Sequence, residues 1–391
     1  MRIALSLALG SALNVMVIPA SSRAQALPDL TERTEYPESL ALVNSVRELQ
    51  DGRILVADPL GQVVLRIDMT RGVADTLGRV GAGPREYRQP DRVIALPGDS
   101  TLLVDLGNGR LAVVAPDGQF GNTMPIVTSA PTAGGGVSTL LPRFADYSGA
   151  LYYEPLVGVP GSTSGDSVPL FRFARASGRR TSVAMLKVRD SSRENASRGG
   201  GVATIIRPVP LSPTDDWAVG WDGAVVVVRS GDYHVEWIRQ DGSVLVGAPV
   251  PYTAVRVGRD EKEAWIQNEA VGGLNFNFNN NNGRTDVRFS RGRSGGRSAD
   301  PSSFDWPAVM PPFVAGRTLV SPRGQAWVER SVAADAAPVV DLFDTQARWL
   351  GSITLPPGRH VVGFGPGTVY LVRKDDLGLT WIERFRVTYP G

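Results

Sequence analysis

Short runs of apolar residues, each followed by an acidic residue and a tight turn, recur along the chain. One run, Gly52 to Asp58, is followed by a second from Val63 to Asp68. The same order returns from Ser100 to Asp105 and from Leu111 to Gly118. Several runs alternate apolar with polar residues, which predicts half-buried antiparallel β-strands. Asp-Gly and Asn-Gly pairs between the runs favour tight hairpins, and Asn108-Gly109 is the clearest of them.

This repeat extends along the whole chain. The middle residues of the central apolar runs are Leu55, Leu103, Tyr152, Val226, Trp327 and Tyr370. Successive runs are 48, 49, 74, 101 and 43 residues apart, so three intervals fit one unit and two carry insertions. A repeat of short strands at this period is typical of a β-propeller. We therefore predict an all-β protein, a single six-bladed β-propeller over residues 27–391.

The sixth unit is one strand short. After Tyr370, only the strand from Thr380 to Phe385 fits before the sequence ends. The segment from Asp29 to Tyr36 belongs to no unit, and we predict that it completes the sixth blade and closes the ring. Closure removes an unpaired sheet edge that would otherwise template aggregation.

The longest interval predicts an insertion over residues 254–306, between blades 4 and 5. Residues 260–271 have helix signals, with Asp260 as a cap, Glu263 three residues later and Gly272 as a stop. Residues 272–299 are rich in Asn, Gly and Arg, so we expect this part to be largely disordered. A nucleic-acid segment of the Arg-Gly kind is the alternative interpretation of that composition.

Residues 1–26 have the features of a secretory signal peptide. Met1-Arg2 is a positive start, Ile3 to Leu13 is apolar, and Ala24-Gln25-Ala26 places small residues at a cleavage site. The apolar stretch is too short to span a membrane. We expect an exported monomer, in the periplasm or outside the cell after cleavage near Ala26. An uncleaved anchor is the alternative.

Composition narrows the classes of partner. Cleavage would remove Arg2 and Arg23 and leave 39 basic against 39 acidic residues, which argues against general attraction to nucleic acid or anionic lipid. The chain contains no cysteine, so disulfide bonds do not stabilise it. We expect the partner to be a protein, a peptide or a small anionic ligand.

Two segments resemble a known family. The connector from Gly81 to Pro90 resembles the blade connector of NHL-type six-bladed propellers, although Arg85 stands where that family commonly has a second glycine. Leu355 to Gly358 and Asp375 to Gly378 are similar to the closing blade of bacterial exported propellers related to NHL-type and TolB-like proteins. The resemblance implies the fold and an exported binding role, and it implies no particular reaction.

Catalytic motifs do not occur in the context they require, and we predict no catalytic residues. Gly81-Ala82-Gly83 lacks the third glycine of a dinucleotide fingerprint, because Glu86 stands there. The only histidines, His234 and His360, do not support a histidine-rich metal site. Trp306 is either an exposed recognition residue or, in the interpretation we prefer, packed within the insertion.

Some six-bladed propellers are calcium-dependent lactonases or esterases whose metal lies among the innermost strands. Here we predict innermost strands near residues 43–47, 92–96, 141–145, 205–208, 311–314 and 360–363. Asn44, Asp91 and Asp146 are the acids and amides in or beside them, and a calcium ion needs several oxygen ligands. We therefore predict no metal and no cofactor, and we keep the calcium-dependent hydrolase as the alternative.

Arginines are commoner on the same strands, namely Arg47, Arg92, Arg143 and Arg207. If they converge on one mouth of the channel beside Asn44 and Asp91, they would bind a carboxylate, a phosphate or an acidic peptide. The opposing interpretation is that they pair with nearby acids or lie on the solvated rim. The sequence thus favours a rigid binding scaffold, with an accessory subunit of an envelope complex as a further alternative.

Overall fold

The computed structural model describes residues 27–129, 138–156, 165–198, 201–281, 284–292 and 300–389, with backbone alone for 129, 193–198, 201–208, 276–281 and 284–286. The predicted signal peptide, residues 1–26, lies outside the described residues. Six four-stranded antiparallel sheets form the body of the protein. Within each sheet, every strand pairs with the next along the chain except at the closing blade, as a propeller requires.

The strands of the first three blades are, for blade 1, Val46–Glu48, Ile54–Asp58, Val63–Asp68 and Val73–Thr76; for blade 2, Pro90–Ala95, Thr101–Asp105, Arg110–Val114 and Phe120–Pro125; and for blade 3, Phe144–Ala145, Leu151–Tyr153, Ser167–Ala174 and Arg179–Lys187.

The strands of the other three are, for blade 4, Asp216–Val219, Val225–Arg229, His234–Ile238 and Val244–Val246; for blade 5, Leu319–Val320, Ala326–Arg330, Val339–Phe343 and Trp349–Thr354; and for blade 6, Arg359–Gly365, Thr368–Lys374, Thr380–Thr388 and Asp29–Glu35.

The first strand of each blade is the inner strand. Neighbouring inner strands contact one another from blade 6 through blades 1, 2, 3 and 4 to blade 5, so they surround a central channel. The six predicted run centres all lie on the second strands, which confirms the six-bladed architecture. For blades 4 and 5 the inner strands differ from those predicted near 205–208 and 311–314, although Phe313 bridges to Arg330 on the second strand of blade 5. The observed inner strands are Asp216–Val219 and Leu319–Val320.

The ring is closed by Asp29–Glu35, the closing strand. It pairs antiparallel with Thr380–Thr388, with Leu30 opposite Val387 and a register shift between Thr31 and Thr34. The predicted closure by the N-terminal segment is therefore confirmed. The sheet edge of blade 6 is covered by the chain's own backbone, which is how closed propellers avoid an exposed pairing edge.

Apolar faces of adjacent blades pack against each other. Ile54 and Ile67 of blade 1 share a buried cluster with Tyr370 and Ile382 of blade 6. Trp327 of blade 5 lies in a buried cluster with residues of blade 6. Since most second-strand residues are buried on both faces, these strands read as continuous apolar runs in the sequence.

The acid that ends the repeat's first apolar run is structural. Asp58 Oδ2 accepts a hydrogen bond from the Ala41 N–H at 2.7 Å, and Asp105 Oδ1 accepts one from the Arg88 N–H at 3.1 Å. Both carboxylates are buried. Each fixes the connector that leads into the inner strand of its own blade.

The insertion between blades 4 and 5 is more ordered than its composition predicts. The predicted helix is confirmed as α1, Arg259–Gly272. Leu274–Asn281 and Arg284–Arg291 form a hairpin, the insertion hairpin, inside residues 272–299, for which we predicted disorder. Phe289 of the hairpin is buried against apolar residues of blades 2 and 3, which supplies burial that local composition does not reveal. Residues 293–299 lie outside the described residues.

Smaller elements complete the fold. Three further two-stranded ladders and one 3₁₀ turn occur among the described residues: Arg79–Val80 with Glu86–Tyr87, Val127–Ser129 with Ser138–Thr139, Ser191–Arg198 with Gly201–Pro208, and the turn Pro301–Ser303. No helix within the described ranges is long and apolar enough to cross a membrane.

The closing blade contains a buried ion-pair network that gives a test of the closure. Glu383 is fully buried and binds Arg359 through both oxygens, at 2.6 and 2.8 Å, and Arg33 of the closing strand at 2.9 Å. Glu383→Ala is expected to lower the free energy of unfolding by about 3–5 kcal/mol, because it leaves the largely buried guanidinium of Arg359 without its carboxylate partner. Urea denaturation measures this change.

The matched control is Glu32→Ala, which removes an exposed ion pair with Arg386 in the same blade. That change is expected to cost no more than about 1 kcal/mol. If both variants lost the same free energy of unfolding, the buried network would not be what stabilises the closing blade.

Candidate functional site

The central channel is a cavity with a volume of about 2150 Å³. Inner strands from all six blades line it. One face of helix α1 lines it as well, through Glu261, Trp265, Asn268 and Gly272. These positions repeat at helical spacing, so one side of the insertion helix faces the cavity.

The two ends of the channel differ in character. Arg92, Arg143 and Arg317 lie near the points where inner strands begin, and we call this the arginine end. Arg47 instead reaches the turn after the inner strand of blade 2, where its Nη2 atom lies 2.7 Å from Asp99 Oδ1. The predicted convergence therefore includes Arg92 and Arg143 and leaves out Arg47. The side chain of Arg207 lies outside the described residues.

An irregularity in blade 2 brings Asp91 and Arg92 into the channel together. Adjacent residues of a regular strand point to opposite faces. Here Pro90 pairs with Asp105 and Arg92 with Val104, so Asp91 is an extra residue on the inner strand. Such a bulge redirects side chains, and both Asp91 and Arg92 line the cavity.

Arg92 is surrounded by other cations. Burial lowers its pKa to about 10, and repulsion from Arg143, Arg291 and Arg317 contributes, while Asp91 opposes the shift. The guanidinium remains protonated at neutral pH. Among the described residues, neither Arg92 nor Arg317 forms an ion pair or a side-chain hydrogen bond. Both residues line the channel, and no acceptor among the described residues takes a hydrogen bond from their guanidinium groups.

Arg143, in contrast, is fixed by its surroundings. Its Nη1 atom donates to Asp216 Oδ1 at 2.8 Å, and its guanidinium lies 4.7 Å from the centroid of the Trp217 ring. Burial acts to lower the pKa of Arg143, but Asp216 and Glu154 more than offset it and the pKa is raised. Asp216 Oδ2 also accepts the N–H of Thr318 at 2.9 Å, so Asp216 links blades 3, 4 and 5.

The carboxylate of Asp91 also accepts hydrogen bonds from protein donors. Asn44 Nδ2 donates to Asp91 Oδ1 at 2.9 Å. Arg291, the last residue of the insertion hairpin, donates to the same oxygen from Nε at 2.6 Å and to Oδ2 from Nη2 at 3.3 Å. The two candidate residues Asn44 and Asp91 are therefore brought together, with an arginine that sequence reasoning did not find.

Two glutamates complete the arginine end. Burial raises the pKa of Glu329, and Arg317 opposes the rise. Burial also raises the pKa of Glu154, opposed by Arg143 and by the Trp217 N–H, which donates to Glu154 Oε2 at 2.8 Å. Neither glutamate forms an ion pair with a described residue. Burial therefore makes both glutamates easier to protonate than an exposed glutamate.

The channel carboxylates do not fit a calcium ion. Asp91 and Asp216 are bound by arginines, and Glu154 accepts the Trp217 N–H. Within the described residues no group of three or more His, Cys, Asp or Glu side chains is arranged to hold a metal. A hard cation requires several free oxygen ligands, and this donor set does not offer them.

No protein-family model matches the chain, and no curated protein matches it. Solved structures with a similar chain course include a member of the DUF4221 family from Bacteroides vulgatus (8% identity, 94% of this chain and 99% of that one, TM-score 0.49) and a gluconolactonase from Xanthomonas campestris (12%, 95% and 93%, 0.44). Another is a calcium-binding protein, regucalcin, from Agrobacterium tumefaciens (11%, 90% and 94%, 0.44). These low similarities concern the fold alone, and the strand pairing itself establishes the propeller.

Sequence reasoning missed Arg291 and Arg317 for different reasons. Arg291 lies in a segment expected to be disordered, and its contact with Asp91 spans 200 residues. Arg317 precedes a two-residue inner strand that was placed about six residues too early. The apolar pair Leu319-Val320 after Gly316 was the only local signal for that strand.

Glu329 gives a pH-dependent test of this description. A carboxyl group whose pKa is higher in the folded state binds more protons there, so it reduces stability as the pH rises above about 4.3, the ordinary value for Glu. Glu329→Gln is expected to raise the free energy of unfolding at pH 8, and the gain should shrink toward pH 5. Urea unfolding at both pH values measures the difference. Glu263→Gln, at an exposed site on α1, is the control for the general effect of removing one negative charge. A gain that grows toward low pH would contradict the raised pKa.

Proposed function

We propose that this propeller binds a small anionic ligand, carrying a carboxylate or a phosphate, at the arginine end of its channel. The observation that carries the proposal is the pair Arg92 and Arg317. Both residues line the cavity, and among the described residues neither guanidinium forms an ion pair or a side-chain hydrogen bond, although Asp91 lies near Arg92 and Glu329 near Arg317. Guanidinium groups bind oxyanions with directed, charge-assisted hydrogen bonds.

The neighbouring acids support this assignment. Asp91 and Asp216 could neutralise the free arginines, but Arg291 and Arg143 already occupy them. An incoming oxyanion would therefore meet unpaired donors in a partly desolvated cavity. Hydrogen bonds to charged groups contribute roughly 1.5–3 kcal/mol each, so two guanidinium groups suffice for a specific weak-to-moderate site.

The proposal also covers where the protein is located and which propellers it is related to. The apolar start and the cleavage motif of residues 1–26 support export to the periplasm or the outside of the cell. The connector Gly81 to Pro90 supports a relationship to NHL-type propellers, and the segments Leu355 to Gly358 and Asp375 to Gly378 support one to exported propellers related to NHL-type and TolB-like proteins. In this interpretation the ring is a rigid scaffold whose loops and channel carry binding.

Binding of citrate by calorimetry at low ionic strength tests the proposal, with inorganic phosphate as a second probe. Arg92→Ala and Arg317→Ala are each expected to weaken citrate binding by about tenfold or more, because each removes a charge-assisted contact. Arg71→Ala is the matched control, since Arg71 is exposed on blade 1 away from the channel. Equal affinity of all four proteins for both probes would overturn the proposal.

A calcium-dependent lactonase or esterase is the alternative function, and metal analysis separates the two. The purified protein is expected to contain no stoichiometric calcium, and its Tm is expected not to change on treatment with EDTA, because within the described residues no three His, Cys, Asp or Glu side chains are grouped to hold a metal. One calcium ion per chain together with EDTA-sensitive hydrolysis of a lactone would favour the alternative instead.

A further inference from the structure

The insertion hairpin is fastened to the arginine end through one residue. Arg291 holds the Asp91 carboxylate with two nitrogen atoms, as described above. Its Nη1 atom also donates to the carbonyl of Gly272, at the end of α1, at 2.8 Å. Its backbone N–H donates to Gln89 Oε1 at 2.9 Å, and its carbonyl accepts from Gln89 Nε2 at 3.1 Å. The Arg291 side chain is therefore fixed in position.

Asp91 is the acid that could cancel the charge of Arg92. The two residues are neighbours on the bulged strand, and both side chains line the channel. Asp91 is only 2% exposed, so its carboxylate cannot rely on water for its hydrogen bonds. In the structure its oxygens are bound by Asn44 and Arg291 rather than by Arg92.

We propose that Arg291 is a positioning residue for anion binding: by holding the Asp91 carboxylate, it keeps Arg92 available to a carboxylate or phosphate in the channel. This inference rests on the proposed function, and it adds that the insertion must be docked against the ring for the anion to bind tightly. The insertion thereby becomes part of the binding site without contacting the ligand through Arg291.

Asp216 is also held by protein donors, but these donors all belong to the ring itself. Arg143 and the Thr318 N–H hold Asp216, and these groups belong to blade 3 and to the start of blade 5. Asp91, by comparison, depends on a residue supplied from a segment 200 positions away. Asp91 is therefore the point at which the insertion can change the charge of the channel.

Loss of the Arg291 charge has a defined consequence. Arg291→Met keeps an unbranched side chain of similar length but removes every donor. The buried Asp91 carboxylate would then retain Asn44 and turn to Arg92, the cation next to it. Citrate affinity is expected to fall about tenfold, because the ligand must compete with an internal carboxylate for Arg92.

Calorimetry with citrate on the full chain tests this with a rescue. Arg291→Met should bind about tenfold more weakly than the wild type. Asp91→Asn combined with Arg291→Met should return to within about threefold of the wild type, because an amide does not neutralise Arg92. Arg259→Met is the control, since Arg259 lies on the same insertion in an exposed pair with Glu263. It should leave the affinity unchanged.

The outcomes separate the two proposals. If the wild type binds neither citrate nor phosphate, the proposed function fails and this inference fails with it. If the wild type binds and Arg92→Ala does not, but Arg291→Met binds like the wild type, the function stands and the positioning role is overturned. If the double variant stays as weak as Arg291→Met, the loss comes from an undocked insertion, and the positioning role is again overturned. Hydrogen exchange of residues 284–291 reports docking in each variant.

Discussion

The pairing of the closing strand with the third strand of blade 6 is the interaction on which the rest of the structure depends. It joins Asp29–Glu35 to Thr380–Thr388 and so converts a row of sheets into a ring. Only in a ring do the inner strands face a common axis and create a channel. The entropy cost of closing such a long loop grows slowly with its length, so one paired strand and its buried contacts can offset it. The buried Glu383 network reinforces the join, because it connects Arg33 of the closing strand to Arg359 of the inner strand.

Closure also explains how charged residues come to face a cavity inside a packed protein. The apolar residues of the second strands are buried between adjacent blades. The inner strands, in contrast, have one side that faces the channel. Polar side chains on that side escape the requirement for complete internal pairing, because the cavity can hold water or a ligand. Arg92 and Arg317 have no internal ion pair among the described residues, whereas Arg143 forms an ion pair with Asp216 and thereby stabilises the ring.

Much of the fold was predictable, because the governing signals are local. Two-residue alternation, acid-terminated apolar runs and Asn-Gly turns marked the second and third strands, and the unassigned segment before blade 1 identified the closure. The inner strands of blades 4 and 5 were not predictable in the same way. They contain four and two residues, too few for a periodic pattern, and long connectors precede them.

The site was predictable only in part, because its arrangement depends on long-range contacts. Arginine enrichment near the inner strands pointed to Arg92 and Arg143, but nothing local separates them from Arg47, which pairs with Asp99. The insertion hairpin has a composition typical of disorder, and it is ordered by Phe289 against blades 2 and 3 and by Arg291 on Asp91. The hairpin is therefore ordered by its contacts with the ring, which its own composition does not reveal.

A crystal structure of the full chain grown in citrate tests the central claim most directly, because it shows ring closure and ligand position together. The account predicts six sheets sealed by residues 29–35 and a citrate carboxylate within hydrogen-bonding distance of both Arg92 and Arg317. A closed ring with citrate bound only on the outer surface, or a ring in which Arg92 is paired with Asp91, would contradict it.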